Sequence, residues 1–277
     1  MEILAALPSV RTPIVNRKGE LRPARPLSEP LRRLHASLQL EGTRNGQARA
    51  PRSILFVSAE AGDGKSTVAA GLALVQREAE RRVVVMEADF RRPVMAKLLD
   101  VGHAHGLADV LAGTLPLDAA MQQVERVSPA VSIDDAGSPA GATATAVRTA
   151  EVGSLSVLVG GTNVANPPAL LARPAMAELL GSLADEYDHV LVDAPPPLQV
   201  SDVLPLLTLV DGIVVVARAG HTRRASARRL TEMLARTSSA PLLGVVANAV
   251  SPKDMERYGF SSGYGTQRRW PRSLIGR

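Results

Sequence analysis

A chain of 277 residues, 45% hydrophobic and 21% charged, suits one α/β domain of about 200 residues with appendages. It has no cysteine, which excludes disulfides and thiolate metal sites, and no apolar run approaches the ~18 residues of a membrane-spanning helix. The net charge of +5 is uneven: Arg218 to Arg277 alone holds 12 basic and 3 acidic residues, so an acidic partner is expected there, whether lipid headgroups, nucleic acid or an acidic subunit face.

Met1-Glu2-Ile3-Leu4 lacks the basic flank of a secretory signal, and a soluble cytoplasmic protein is the expectation. Residues 1–50 are rich in Pro and Arg and predict an N-terminal arm with one helix, about 28–40. Ser28 and Glu29 start it, and Leu31, Leu34 and Leu38 follow helical spacing. Gly42 to Pro51 reads as a linker. The main domain spans 51–250. Short, β-branched apolar runs fall at 53–57, 83–86, 155–159, 190–192, 213–217 and 242–247. Helical patterns at 67–80, 174–186 and 222–236 separate them. This order predicts a doubly wound, mostly parallel sheet with helices on both faces. Residues 128–153 are patternless and predict a mobile insertion, and 251–277 predict a loose, basic tail.

The first run leads into Ala59-Glu60-Ala61-Gly62-Asp63-Gly64-Lys65-Ser66-Thr67, a strand, glycine loop and helix start that fits a P-loop with Ala59 at the first glycine position. Gly62 and Gly64 let backbone amides curl around a phosphate, with Asp63 between them. Lys65 is placed to reach β/γ oxygens and Ser66 to offer its hydroxyl to Mg²⁺. The next helix points its positive end at the same anion. The chain is therefore expected to bind ATP or GTP.

Ligands of open parallel sheets sit beyond the carboxyl ends of the strands, so acids that end apolar runs matter most. Val83-Val84-Val85-Met86 ends in Glu87-Ala88-Asp89, and Val190-Leu191-Val192 ends in Asp193. Glu87 and Asp89 share a face if the strand continues that far. Asp193 fits a carboxylate that orients Mg²⁺, while a second acid accepts a hydroxyl proton during phosphoryl transfer. Asn248, which ends the run Val245-Val246-Ala247, is placed at the adenine edge.

These segments, with Phe90-Arg91-Arg92-Pro93 after Asp89, Gly106-Leu107-Ala108-Asp109, Asn166-Pro167-Pro168, Ala194-Pro195-Pro196 and Ser201-Asp202, make the core resemble the bacterial tyrosine autokinases (BY-kinases) of capsular and exopolysaccharide synthesis, within the deviant P-loop ATPases. The resemblance covers roughly Ser28 to Val250. It implies ATP-dependent phosphorylation of tail tyrosines on a neighbouring subunit in a ring. It further implies Lys65, Ser66 and Thr67 on ATP and Mg²⁺, Asp193 as metal-orienting carboxylate, and Glu87 and Asp89 near metal and acceptor. A separate membrane activator of polysaccharide export would hold the protein at the inner face of the plasma membrane, and the basic tail would lie near anionic lipid.

Four departures stand out. Glu87 occupies a position where the family has Asp. The family's N-terminal Glu-x-x-Arg-x-x-Arg is here Glu29 to His35, so Glu29 and Arg32 are the expected oligomer contacts and the last Arg is His35. The tail offers only Tyr258 and Tyr264 as phosphoacceptors, and the insertion has no counterpart. Two other functions compete. The partition and septum-positioning ATPases of the same clan carry a lysine where this chain has Glu60, yet Arg223, Arg224, Arg228 and Arg229 suit nonspecific DNA contact. A non-catalytic nucleotide-binding scaffold is the other alternative. Nucleic acid is not the expected partner.

Overall fold

The structure, a computed structural model, describes residues 2–17, 19–44, 50–124, 153–161, 164–257 and 260. The chain opens with β1 (Ile3–Pro8), the hairpin β2 (Ile14–Arg17) and β3 (Glu20–Pro23), and helix α1 (Arg25–Arg44). Next come β4 (Ser53–Ser58), α2 (Lys65–Glu78), β5 (Val83–Glu87), α3 (Met95–Leu99), α4 (Leu107–Ala112), α5 (Leu117–Ala120) and the two-residue β6 (Gln122–Gln123). The second half holds β7 (Leu155–Leu158), α6 (Pro167–Leu171), α7 (Pro174–Glu186), β8 (His189–Asp193), β9 (Gly212–Arg218), α8 (Arg224–Thr237), β10 (Leu242–Val250) and α9 (Pro252–Arg257).

Eight strands form one sheet in the order β1-β10-β9-β4-β8-β5-β7-β6. Every pairing is parallel except the edge pair of β6 with β7. Strands β4, β5, β7 and β8 are buried at every residue, which is why they read as unbroken apolar runs rather than alternations. One face packs against α1 and α2 through Leu31, Leu34, Leu38, Val68, Leu72 and Val75. The other packs against α7 and α8 through Met176, Leu179, Leu183, Leu230 and Leu234. The doubly wound architecture is as expected.

The N-terminal fifty residues are not an appended arm. β1 pairs in parallel with β10, and α1 is longer than the 28–40 expected at both ends. Its leucines 31, 34 and 38 are at most 1% exposed. Gly71 on α2 lets α1 approach, since a Cβ there would stand 2.9 Å from Leu31 Cδ1. The tail is likewise docked at its start: Met255 of α9 is buried with Ala6 and Val250, and Phe260 packs against them. The insertion expected at 128–153 falls, apart from Gly153, outside the described residues, as do Tyr258 and Tyr264.

Candidate functional site

The loop Ala59–Gly64 joins β4 to α2 at the carboxyl end of the sheet. Gly62 (φ +84°) and Gly64 (φ +98°) adopt the left-handed conformation that favours glycine. Gly64 has a second constraint: a Cβ would fall 2.1 Å from Asn248 Nδ2.

Three neighbouring segments hold the loop by its carbonyls. Asn248 Nδ2 donates to Asp63 O at 2.8 Å, Arg218 Nη1 donates to Gly62 O at 3.3 Å, and His221 Nε2 lies 3.1 Å from Ala61 O. With its carbonyls tethered into the protein, the loop is left to present amides on its other side, as an anion-binding nest requires. Asn248 thus underpins the loop backbone. Asp63 faces into the protein. Its carboxylate is fully buried, accepting from the Thr222 hydroxyl (2.8 Å) and from Glu60 N (3.1 Å), so it shapes the loop from within.

Asp193 ends β8, with Phe56 of β4 opposite it on one side and Glu87 of β5 on the other. Its carboxylate is completely buried, and neither oxygen makes a well-formed hydrogen bond. Burial pushes its pKa up to about 7, and the negative charges of Glu87 and Asp89 add to this; the Ser66 hydroxyl and Lys65 ammonium oppose it. Lys65, only 5% exposed, and Ser66 therefore stand beside two acid-tipped strands, as expected. A buried carboxyl without a well-formed hydrogen bond, next to a hydroxyl and an ammonium, fits a divalent cation with a polyphosphate, because Mg²⁺ takes few protein oxygens and keeps phosphate and water ligands. Ser66 and Asp193 are the residues to hold it. Thr67 follows them in the first turn of α2, whose positive end faces the loop.

Glu87, expected near metal and acceptor, is held here by backbone amides. β5 stops at Glu87, so the strand does not carry Asp89 onto a shared face. The Glu87 carboxylate is 1% exposed and occupied: Oε1 accepts from Val94 N (2.5 Å) and Met95 N (2.8 Å), and Oε2 from Gly160 N (3.0 Å). It pins the start of α3 and the exit of β7 to the end of β5. Burial raises its pKa against the pull of these three amides. The longer arm of Glu suits that reach. Asp89, 8% exposed, accepts from Arg92 N at 3.0 Å and, among the described residues, is the acid of the pair with spare lone pairs.

Glu29 and Arg32, the expected oligomer contacts, both have partners within the chain. Arg32 pairs with Glu78 of α2 at 3.1 Å and Glu29 with Arg33 at 3.6 Å. His35 turns inward, edge-on to His189 with ring centroids 5.9 Å apart. Glu60, at the position of the partition-type lysine, is held below the usual carboxylate range by the Ser226 hydroxyl and Arg223, which ties it to the start of α8. Sequence reasoning missed Thr222, Arg218 and His221 as loop supports. No local pattern marks them, since they meet the loop only through the β9 to α8 connection.

Comparisons with known proteins show the family and the fold that the chain resembles. A family model described as ParA, NUBPL iron-transfer P-loop NTPase, matches residues 49–267. Tyrosine-protein kinase YwqD of Bacillus subtilis is 31% identical over 219 residues, covering 79% of this chain and 80% of that protein. Putative tyrosine-protein kinase EpsB of Ralstonia nicotianae is 29% identical, covering 89% of this chain but only 28% of that longer protein. The solved kinase domain of Escherichia coli tyrosine kinase ETK superposes with a TM-score of 0.72 at 24% identity, over 91% of each chain.

Proposed function

Because the chain belongs to the bacterial tyrosine-protein kinases, among the ParA-type P-loop NTPases, we propose that it is an ATP-dependent tyrosine autokinase whose γ-phosphoryl transfer runs at the Lys65, Asp89 and Asp193 cluster. The observation that supports this best is Asp193, a fully buried carboxylate with both oxygens unsatisfied beside Lys65 and Ser66. Loop amides and Lys65 bind and orient the triphosphate, leaving the γ-phosphoryl group at the mouth of the two acidic segments. Mg²⁺, held by Ser66 and Asp193, would supply charge neutralisation to the phosphates when bound. Asp89 takes the proton of the acceptor hydroxyl. Glu87 contributes by fixing the end of β5, not by touching the reactants.

The acceptors in this reading are Tyr258 and Tyr264 of a neighbouring copy within a ring. Tyr187 is excluded, since it is buried and its hydroxyl donates to Ser156 Oγ at 2.9 Å. Among the described residues no helix is long and apolar enough to cross a membrane. We infer a membrane-embedded activator of capsule or exopolysaccharide export as the partner, on the sequence resemblance. The test is incubation of purified protein with Mg²⁺ and labelled ATP, followed by phosphopeptide mapping, beside Lys65→Met. Label on tail tyrosines, absent in the variant, is expected. A protein that binds nucleotide yet labels no tyrosine, even with its membrane partner added, would leave the scaffold reading.

The nucleotide-driven switch keeps one supporting observation: Arg223, Arg224, Arg228 and Arg229 are exposed near the P-loop, on and just before α8. Glu60 weighs against it, because an anion tied to α8 cannot donate to phosphate across a dimer.

A further inference from the structure

The two acid-bearing segments are fastened at two points. At the strand ends, Ala88 N donates to Asp193 O at 2.7 Å. Further along, Arg91 Nε donates to Asp202 Oδ2 at 2.7 Å and Arg91 Nη2 to Asp202 Oδ1 at 3.1 Å. This second tie joins the turn that follows Asp89 to the loop that follows Asp193. The turn closes on itself through Arg92 N and Asp89 Oδ1, so Asp89 lies one hydrogen bond from the clamp.

The pair has the geometry of a positioning device. Asp202 is 1% exposed while the Arg91 side chain is 51% exposed, so a rigid buried acid holds a guanidinium reaching in from the surface. A forked, two-bond pairing fixes orientation as well as distance, which a lysine cannot do. Because Asp202 is buried, breaking the pair costs stability as well as local placement, and exchange over α2 reads the two separately. The clamp shares no hydrogen-bond partner with the P-loop supports, whose partners are Asp63, Gly62 and Ala61. Loss of the clamp therefore leaves the nucleotide cradle standing.

We propose that Asp202 is a positioning residue that acts through Arg91 to set where the Asp89 carboxylate stands relative to Asp193 and Lys65. This rests on the phosphotransfer reading above, and its test separates the two. Hydrogen exchange over residues 88–94 and over α2 is measured in wild type, Asp202→Asn and Arg91→Lys, with steady-state kinetics in Mg·ATP. Arg91 is half exposed, so Arg91→Lys serves if Asp202→Asn does not fold. Exchange over 88–94 should rise several-fold with α2 unchanged, and kcat should fall about ten- to a hundredfold. KM for ATP should stay within about twofold, because ground-state binding is untouched. Unchanged exchange over 88–94, an equal rise in α2, or faster exchange with unaltered kcat would each overturn the proposal. If wild type transfers no phosphoryl group, the kinase reading falls, and exchange over 88–94 alone then decides whether the clamp orders this turn.

Discussion

Asp193 is a buried carboxyl whose ionised form the fold by itself does little to stabilise. Between its ordinary value of 3.8 and about 7, the folded state keeps a proton that the unfolded chain has released. Stability therefore falls as pH rises through that window, by an amount on the order of a few kcal/mol. His189, lowered to about 4 by burial, works in the opposite sense, so the whole-protein profile mixes the two. The difference between wild type and Asp193→Asn isolates the acid. Wild-type stability relative to the variant should decline from about pH 4 to about pH 7 and level off above, as read by urea denaturation at several pH values. Saturating Mg·ADP should flatten that decline by giving the carboxylate a partner. A difference independent of pH would mean that Asp193 is not strained.

Glu87 and Asp89 should separate under mutation. Glu87→Gln sets an amide donor against backbone N–H groups of Val94, Met95 or Gly160, so it should cost about 1–3 kcal/mol of stability while sparing nucleotide affinity. Asp89→Asn should lower turnover about a hundredfold or more with little change in stability. Denaturation and turnover measured on both variants check this. The reverse pattern would return Glu87 to the chemistry.

At the scale of elements, α1 shows both what periodicity reveals and where it stops. Leu31, Leu34 and Leu38 mark the buried stripe correctly, but the start lies at Arg25 because Pro26 falls in the first turn, where a missing N–H is harmless. The helix is a structural layer over α2 and β1, so Leu34→Ala should destabilise the whole domain by about 2–5 kcal/mol, measurable by thermal or urea unfolding. A loss well below 1 kcal/mol would mean that α1 is a detachable arm after all. β1 was not legible: a six-residue apolar run becomes a strand only because β10, from the far end of the chain, supplies its partner. The P-loop and both acid-tipped strands were legible because glycine, lysine and terminal carboxylate carry their meaning locally. The directions of Asp63, Glu87 and Asn248 were not, since long-range contacts turn each of them.

For the molecule as a whole, the basic stretch begins at the P-loop, where Arg218 holds the Gly62 carbonyl, and runs on from it in sequence. The nucleotide cluster sits at the carboxyl ends of β4, β5 and β8, while excess positive charge gathers from Arg218 onward. An anionic membrane surface near the partner would attract that region by ~1 kcal/mol per basic residue close to it. Flotation with anionic vesicles should show binding that weakens after tyrosine phosphorylation, which adds roughly two negative charges per site. Binding indifferent to both lipid charge and phosphorylation would remove the lipid contact, and salt-sensitive DNA binding without phosphotyrosine would favour the switch.

Diffraction from crystals grown with Mg²⁺ and a non-hydrolysable ATP analogue tests the central claim most directly. γ-Phosphate is expected at Lys65, metal on the Ser66 hydroxyl at about 2.1 Å with Asp193 bound directly or through its water, Asp89 open to the acceptor side, and Glu87 still holding Val94, Met95 and Gly160. A nucleotide seated away from Lys65, or a metal ligated by Glu87 with Asp193 still unpartnered, would contradict it.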